Sequence, residues 1–186
     1  MALQDLSGVR VAVVATDGFE EEELTKPVMA LREAGAAVDI VSPKVGQIQG
    51  FRHHDKSIKV EVTLPLDELD ADRYDALMLP GGALNADAIR VEPKLKECIR
   101  AVDAAGKPMA AICHAPWELV SAGVLDGRKL TSYHTIQDDL VNAGATWEDR
   151  PLVRDGNLVT SRKPDDLASF IPAMIELFAQ GTRAAH

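Results

Sequence analysis

Apolar residues fall along this chain in two patterns, short near-continuous runs and stripes at helical spacing, and the two alternate. Residues 9–15 (VRVAVVA) form the first run, and their β-branched content predicts a central strand. Leu24, Val28, Leu31 and Ala34 then make a helical stripe closed by Gly35, with Thr25 as the expected cap and Pro27 in the first turn. Residues 36–42 predict a second strand, and the strand–helix–strand order predicts a parallel sheet with right-handed crossovers. Residues 45–62 differ: two alternating runs around a polar centre predict a hairpin at the sheet's edge.

The alternation resumes at residues 75–80 (DALMLP), a buried strand that ends in Pro80–Gly81–Gly82. Leu95, Cys98, Ile99 and Val102 share a helical face, in a helix that Pro93 opens. Residues 109–112 (MAAI) read as a strand buried on both sides, and Leu119, Val120, Val124 and Leu125 as a helix after it. Residues 129–132 predict a short strand, and Thr135 caps a helix that turns Ile136, Leu140 and Val141 inward. Residues 145–161 predict a strand pair turned at DGN, and residues 164–179 a terminal helix containing Pro172, with residues 181–186 as a frayed tail. The fold class that follows is α/β. It is a flavodoxin-like three-layer sandwich, one domain over residues 1–186, with a mostly parallel central sheet, helices on both faces and a small β-hairpin insert.

Composition narrows the function classes. A net charge of −9 without a basic cluster argues against nucleic acid, where Lys and Arg must neutralise phosphates. No apolar run approaches the length of a membrane span, and the first residues carry no basic region before a long apolar stretch, so neither a membrane nor secretion is expected. Two cysteines are too few for a disulfide framework, and a cytoplasmic location is expected. The Gly81–Gly82 pair lacks the Lys-Ser/Thr of a phosphate loop, and no dinucleotide fingerprint is present, so no cofactor is expected. His53 and His54 have no carboxylate or thiol at ligand spacing, so no metal is expected either.

The candidate chemistry lies at the turn between residues 109–112 and the helix after them. Cys113 sits where a strand hands over to a helix whose free N–H groups favour a thiolate. In such a sheet the loops beyond the strands' carboxyl ends converge. Cys113 should therefore meet the loop holding Glu20, the Gly81–Gly82 turn, and Tyr133 and His134. On the residues alone Cys113 reads equally well as a nucleophile and as a small buried residue. His114 is adjacent but need not point at the sulfur, and Glu20 reads first as a helix-dipole partner. Cys98, on its apolar stripe, reads as core.

Six stretches in order, DGFEEEEL, LPGG, AAICHAP, GRKLTSY, DDLVNAGA and TSRKPDDL, closely resemble the PfpI-type intracellular protease family. That family lies within the Parkinsonism-associated deglycase superfamily of class I glutamine-amidotransferase-like fold. The resemblance spans about residues 9–177. It implies Cys113 as a nucleophile on a strained elbow, His114 as its partner, and Glu20 as the acid touching the sulfur. It also implies an oxyanion site at the Gly82 and His114 amides, and an acidic residue, here Asp87, reaching a neighbouring subunit's site. This chain departs from the family with Asp87 in place of glutamate, Ala115 in place of glycine, and His134 in place of proline. The implied function is a stress-related cysteine-dependent hydrolase, peptidase-like, acting as a homodimer or higher oligomer. The alternatives are glyoxalase or deglycase chemistry on methylglyoxal and glycated groups, or a thiol redox sensor or chaperone-like stress protein.

Overall fold

In the computed structural model, which describes residues 4–184, the apolar runs become the strands of one sheet. In chain order the elements are β1 (Arg10–Val14), β2 (Phe19–Glu20), α1 (Glu21–Glu33), β3 (Ala37–Ser42), β4 (Gln47–Arg52), β5 (Asp55–Glu61), β6 (Leu64–Pro65), β7 (Ala76–Leu79), α2 (Ala83–Ile89), α3 (Pro93–Ala104), β8 (Met109–Ile112), α4 (Pro116–Ala122), β9 (Lys129–Leu130), α5 (Gln137–Asn142), β10 (Thr146–Trp147), β11 (Leu152–Asp155), β12 (Leu158–Ser161) and α6 (Leu167–Ala184). The main sheet runs β11-β12-β8-β7-β1-β3-β6 and is parallel except where β11 meets β12.

The three central strands β1, β7 and β8 are covered on both faces, which is why their sequences are apolar without alternation. Successive residues feed opposite layers. Val11, Val13, Met78 and Ala110 pack under α1 and α6, whose Phe170, Met174 and Phe178 fill that side. Ala12, Val14, Leu77 and Ala111 pack against Leu95, Ile99 and Leu119 on the other. The three-layer α/β architecture expected from the alternation is present. Among the described residues no helix is long and apolar enough to cross a membrane.

Several details differ from the pattern reading: α4 ends at Ala122, before Val124 and Leu125, Thr135 does not cap α5, whose N-cap is Ile136, and Val141 is exposed. The hairpin β4–β5 does not extend the main sheet, whose edge is β6; it joins β2 in a separate three-stranded sheet of order β2-β4-β5. Gly50 permits the close pairing with Phe19, since a Cβ there would stand 2.8 Å from the Phe19 ring. Helix α1 starts at Glu21, not after Thr25, so Pro27 lies inside it, and the Thr25 hydroxyl donates to the Glu21 carbonyl at 2.8 Å. Three glutamates in the first turn favour that earlier start through the helix dipole. Residues 145–161 yield only the β11–β12 pair, while β10 pairs in parallel with β9 away from the main sheet. Helix α6 continues through Ala184, so residues 181–184 are helical and only residues 185–186 of the expected tail fall outside the described residues.

Candidate active site

Because β1, β7 and β8 are adjacent and parallel, the loops after them emerge side by side. Backbone bonds lock them together. Glu20 donates its N–H to the Gly81 carbonyl at 3.2 Å, and Tyr133 donates to the Cys113 carbonyl at 2.8 Å. Asn85, fully buried, does the rest: its Oδ1 accepts from Thr16 N–H at 2.7 Å, and its Nδ2 donates to the Pro80 and Gly81 carbonyls at 3.1 and 3.2 Å. One side chain thus ties the first loop to the second.

Cys113 sits in the left-handed region at φ 64°, one of two described non-glycine residues there with His53. Such a conformation costs on the order of 1–3 kcal/mol and persists only when its surroundings impose it. Here the amide donates to the Ser161 carbonyl at 3.0 Å while the carbonyl accepts from Tyr133, so both ends of the residue are held. The turn aims Sγ at His114 Nδ1, 3.1 Å away, and at the backbone amides of Gly82 and His114. Gly81 makes the close approach feasible, since a Cβ there would lie 2.6 Å from Cys113 Cβ and would collide with the Glu23 carboxyl.

Glu23 is the acid at the sulfur. Its side chain is fully buried and directed at the Cys113 thiol and the Gly81 amide, although neither oxygen completes a hydrogen bond of normal geometry. Burial pushes its pKa well above the ordinary carboxyl value, and the nearby Glu20 charge adds to the rise. Burial also pushes the Cys113 thiol up, with a negative Glu23 contributing, while the Gly82 and His114 amides pull it back. The two groups titrate as a pair. With Glu23 protonated, its repulsion of a thiolate vanishes and its O–H becomes a donor to sulfur.

His114 is half-buried between aromatic rings. Tyr133 stacks on it at 4.8 Å between centroids, and Trp117 meets it edge-on at 5.5 Å. Burial, with the neighbouring His134 second, lowers its pKa to about 4. The imidazole is therefore neutral at pH 7, and the site does not rest as an imidazolium–thiolate pair. Nε2 lies 3.4 Å from the Thr135 hydroxyl.

The structure brings Cys113, His114, Gly81, Gly82 and Tyr133 together, and places His134 one ring further out at 4.6 Å from Tyr133. It does not bring Glu20 to the sulfur. Glu20 ends the extended β2, so its side chain turns opposite to buried Phe19, and Oε2 accepts from His53 N–H at 3.1 Å. Asp87 is exposed on α2 and makes no hydrogen bond or ion pair with a described residue. The residues that pattern reasoning missed are Glu23, Asn85, Trp117 and Thr135. For Glu23 a signal existed: with the helix begun at Glu21, Glu23, Pro27 and Leu31 recur four apart on the buried face.

Residues 9–177 match the model of the DJ-1/PfpI family. The chain is 43% identical over 169 residues to Deglycase PfpI of Pyrococcus furiosus, covering 91% of this chain and 99% of that protein. It is 38% identical over 161 residues to a protein of Bacillus subtilis named putative cysteine protease YraA, covering 87% and 93%. Among solved structures, a two-domain protein from Anabaena variabilis with DJ-1/ThiJ/PfpI-like and ferritin-like domains superposes with a TM-score of 0.86 at 32% identity, over 93% of this chain and 49% of that one.

Proposed function

Since the chain belongs to the DJ-1/PfpI family, we propose that it is a Cys113-dependent hydrolase of carbonyl adducts, acting on α-oxoaldehydes and the groups they glycate. One observation carries the choice: a carboxyl, Glu23, lies fully buried at the sulfur, where burial pushes its pKa well above the ordinary value. Sγ bonds to the aldehyde carbon as its proton leaves to neutral His114, and the carbonyl electron pair moves to oxygen, which the amides of Gly82 and His114 and the Glu23 O–H stabilise until the proton returns to it as the hemithioacetal hydroxyl. The C–H proton then passes through neutral His114 to the neighbouring carbon, and the hydroxyl proton moves to that carbon's oxygen through the enediol, leaving a 2-hydroxyacyl thioester on Cys113. Water cleaves the thioester, releasing the 2-hydroxy acid and the thiol. The net change is addition of one water, with no oxidant or reductant; for a glycated amine the amine is released as well.

Peptide cleavage is the second reading, and the 3.1 Å Sγ–Nδ1 contact favours it. It asks more of His114. The imidazole would have to hold the thiol's proton until an amide nitrogen departs, and a half-buried ring with a pKa of about 4 resists that charge.

Self-association completes the reading. Among the described residues Asp87 has no partner, Leu84 one turn before it is 63% exposed, and His114 Nε2 has only a long contact to Thr135. A second copy that brings Asp87 to His114 would orient the imidazole. Light scattering is expected to report a dimer or larger, and a monodisperse particle of 20.0 kDa would contradict it. The acidic surface fits a cytoplasmic enzyme with no nucleic-acid partner.

The reaction is tested with a panel of methylglyoxal, methylglyoxal-modified amines, and peptide amides, run with the wild type and Cys113→Ser. Turnover of the first two alone, lost in the variant, is the expected result. Cleavage of peptide amides with no oxoaldehyde turnover would favour the second reading.

A further inference from the structure

Resting on the assignment of Cys113 and His114 as the reacting pair, we propose that Trp117 is a positioning residue. Clamped between Arg90 and Asp139, it holds the His114 ring with Nδ1 on the Cys113 sulfur.

Trp117 is the second residue of α4, and its amide donates to the His114 carbonyl at 3.0 Å, so the two rings leave the same turn. A half-buried indole at a helix start has several rotamers open to it unless something holds it. Two helices do so here. Asp139 of α5 accepts from Nε1–H at 2.7 Å. On the indole face lies the Arg90 guanidinium, 5.1 Å from the centroid, at the end of α2. Arg90 is itself tethered by its Nε–H to the Ser121 hydroxyl at 2.8 Å.

The clamped ring then acts on His114. The indole meets the imidazole at 5.5 Å and 60°, while Tyr133 stacks on it at 4.8 Å and 25°. Apart from Sγ, the only polar contact of the imidazole among the described residues is the 3.4 Å approach of Nε2 to Thr135, too long to fix a ring. Packing by Trp117 and Tyr133 therefore sets the orientation that puts Nδ1 3.1 Å from sulfur. The titratable groups facing His114 are Cys113, with Glu23 beyond it, and Tyr133 and His134 from the loop after β9. Arg90 and Asp139 reach it through the indole, and Arg90 also faces the buried Glu118.

The test reads His114 without substrate, by NMR titration, and Cys113 by its alkylation rate against pH, alongside kcat and KM for methylglyoxal. In Trp117→Ala the His114 midpoint is expected to rise from about 4 toward its ordinary value. The kcat should fall by ~10-fold or more while KM changes little. Trp117→Phe, which keeps a ring edge, should recover most of both. Asp139→Ala and Arg90→Met, each releasing one side of the clamp, should shift the midpoint partway in the same direction. An unchanged His114 titration in Trp117→Ala overturns the proposal; if that variant does not fold, unchanged titrations in both Asp139→Ala and Arg90→Met do so. The substrate-free readouts keep this separate from the reaction itself, which fails if the wild type turns over no oxoaldehyde.

Discussion

Glu23 Oε2 and the Cys113 side chain meet over Gly81, at the one place where a Cβ would strike both. The acid is fully buried and the thiol 6% exposed, so neither ionises as it would in water. That relationship makes the cysteine more than a core residue, and it is displaced by three positions from the acid that motif matching selects.

The two glutamates should therefore behave differently. Glu23→Gln keeps the shape and removes the proton, and turnover should fall on the order of 100-fold or more. Glu20→Gln removes a surface charge while keeping an oxygen that can accept from His53 N–H, and should stay within about threefold of the wild type. Steady-state rates of the two variants, measured side by side, decide which acid serves the sulfur; the reverse ranking would return the role to Glu20.

Gly81→Ala should damage the site and the fold together. Its Cβ would stand 2.6 Å from Cys113 Cβ and 2.8 Å from the Ile112 carbonyl, both parts of a fixed strand end. The expected cost is about 1–3 kcal/mol in denaturant unfolding, with activity lost even where the variant is folded. Full activity at wild-type stability would contradict the packing described.

Glu118 offers a stability prediction with a definite sign. It is fully buried in α4, neither oxygen has a hydrogen-bond partner among the described residues, and burial raises its pKa well above 4.5 despite the Arg90 charge. Below its unfolded pKa both states are protonated and the acid carries no ionisation cost. As pH rises past that value the unfolded chain ionises first, and stability falls until the folded pKa is reached. Glu118→Gln should thus raise Tm by several degrees at pH 8 and by much less at pH 4, by calorimetry. An equal gain at both pH values would mean the acid is not held neutral.

His114 works in the opposite direction at lower pH. Its folded pKa is lowered from 6.5 to about 4, so between those values the unfolded state binds the extra proton. Stability should drop as pH falls through that window, and His114→Asn should flatten the drop. The half-exposed ring keeps the effect small. Activity should persist to well below pH 6, because the imidazole remains neutral there; a loss of rate centred near 6.5 would show an ordinary histidine.

Much of the fold was legible because buried parallel strands leave continuous apolar runs, as at residues 76–79 and 109–112, with helical stripes between them. Cys113 was legible as a residue between a run and a stripe. Glu23 was not, because four consecutive glutamates look alike until the start of α1 is known, and that start depends on β2 pairing with Gly50 and Phe51 some thirty residues on. The separate hairpin sheet was hidden for the same reason, since local alternation gives the strands and not their partner. Asn85 and Trp117 act through contacts with residues distant in sequence, Thr16, Arg90 and Asp139, which no spacing rule exposes.

The most direct test of the chemistry is the covalent intermediate. A single turnover of methylglyoxal, quenched in acid and mapped by peptide mass spectrometry, should place a 2-hydroxyacyl group on Cys113. Cys98 should stay unmodified, since it packs into the core from α3 beside Leu95, Ile99 and Val102. The adduct should build up when thioester hydrolysis is slowed and be absent in Cys113→Ser. Consumption of methylglyoxal at an undiminished rate by Cys113→Ser, or by a wild type whose Cys113 never carries an acyl group, would contradict the account.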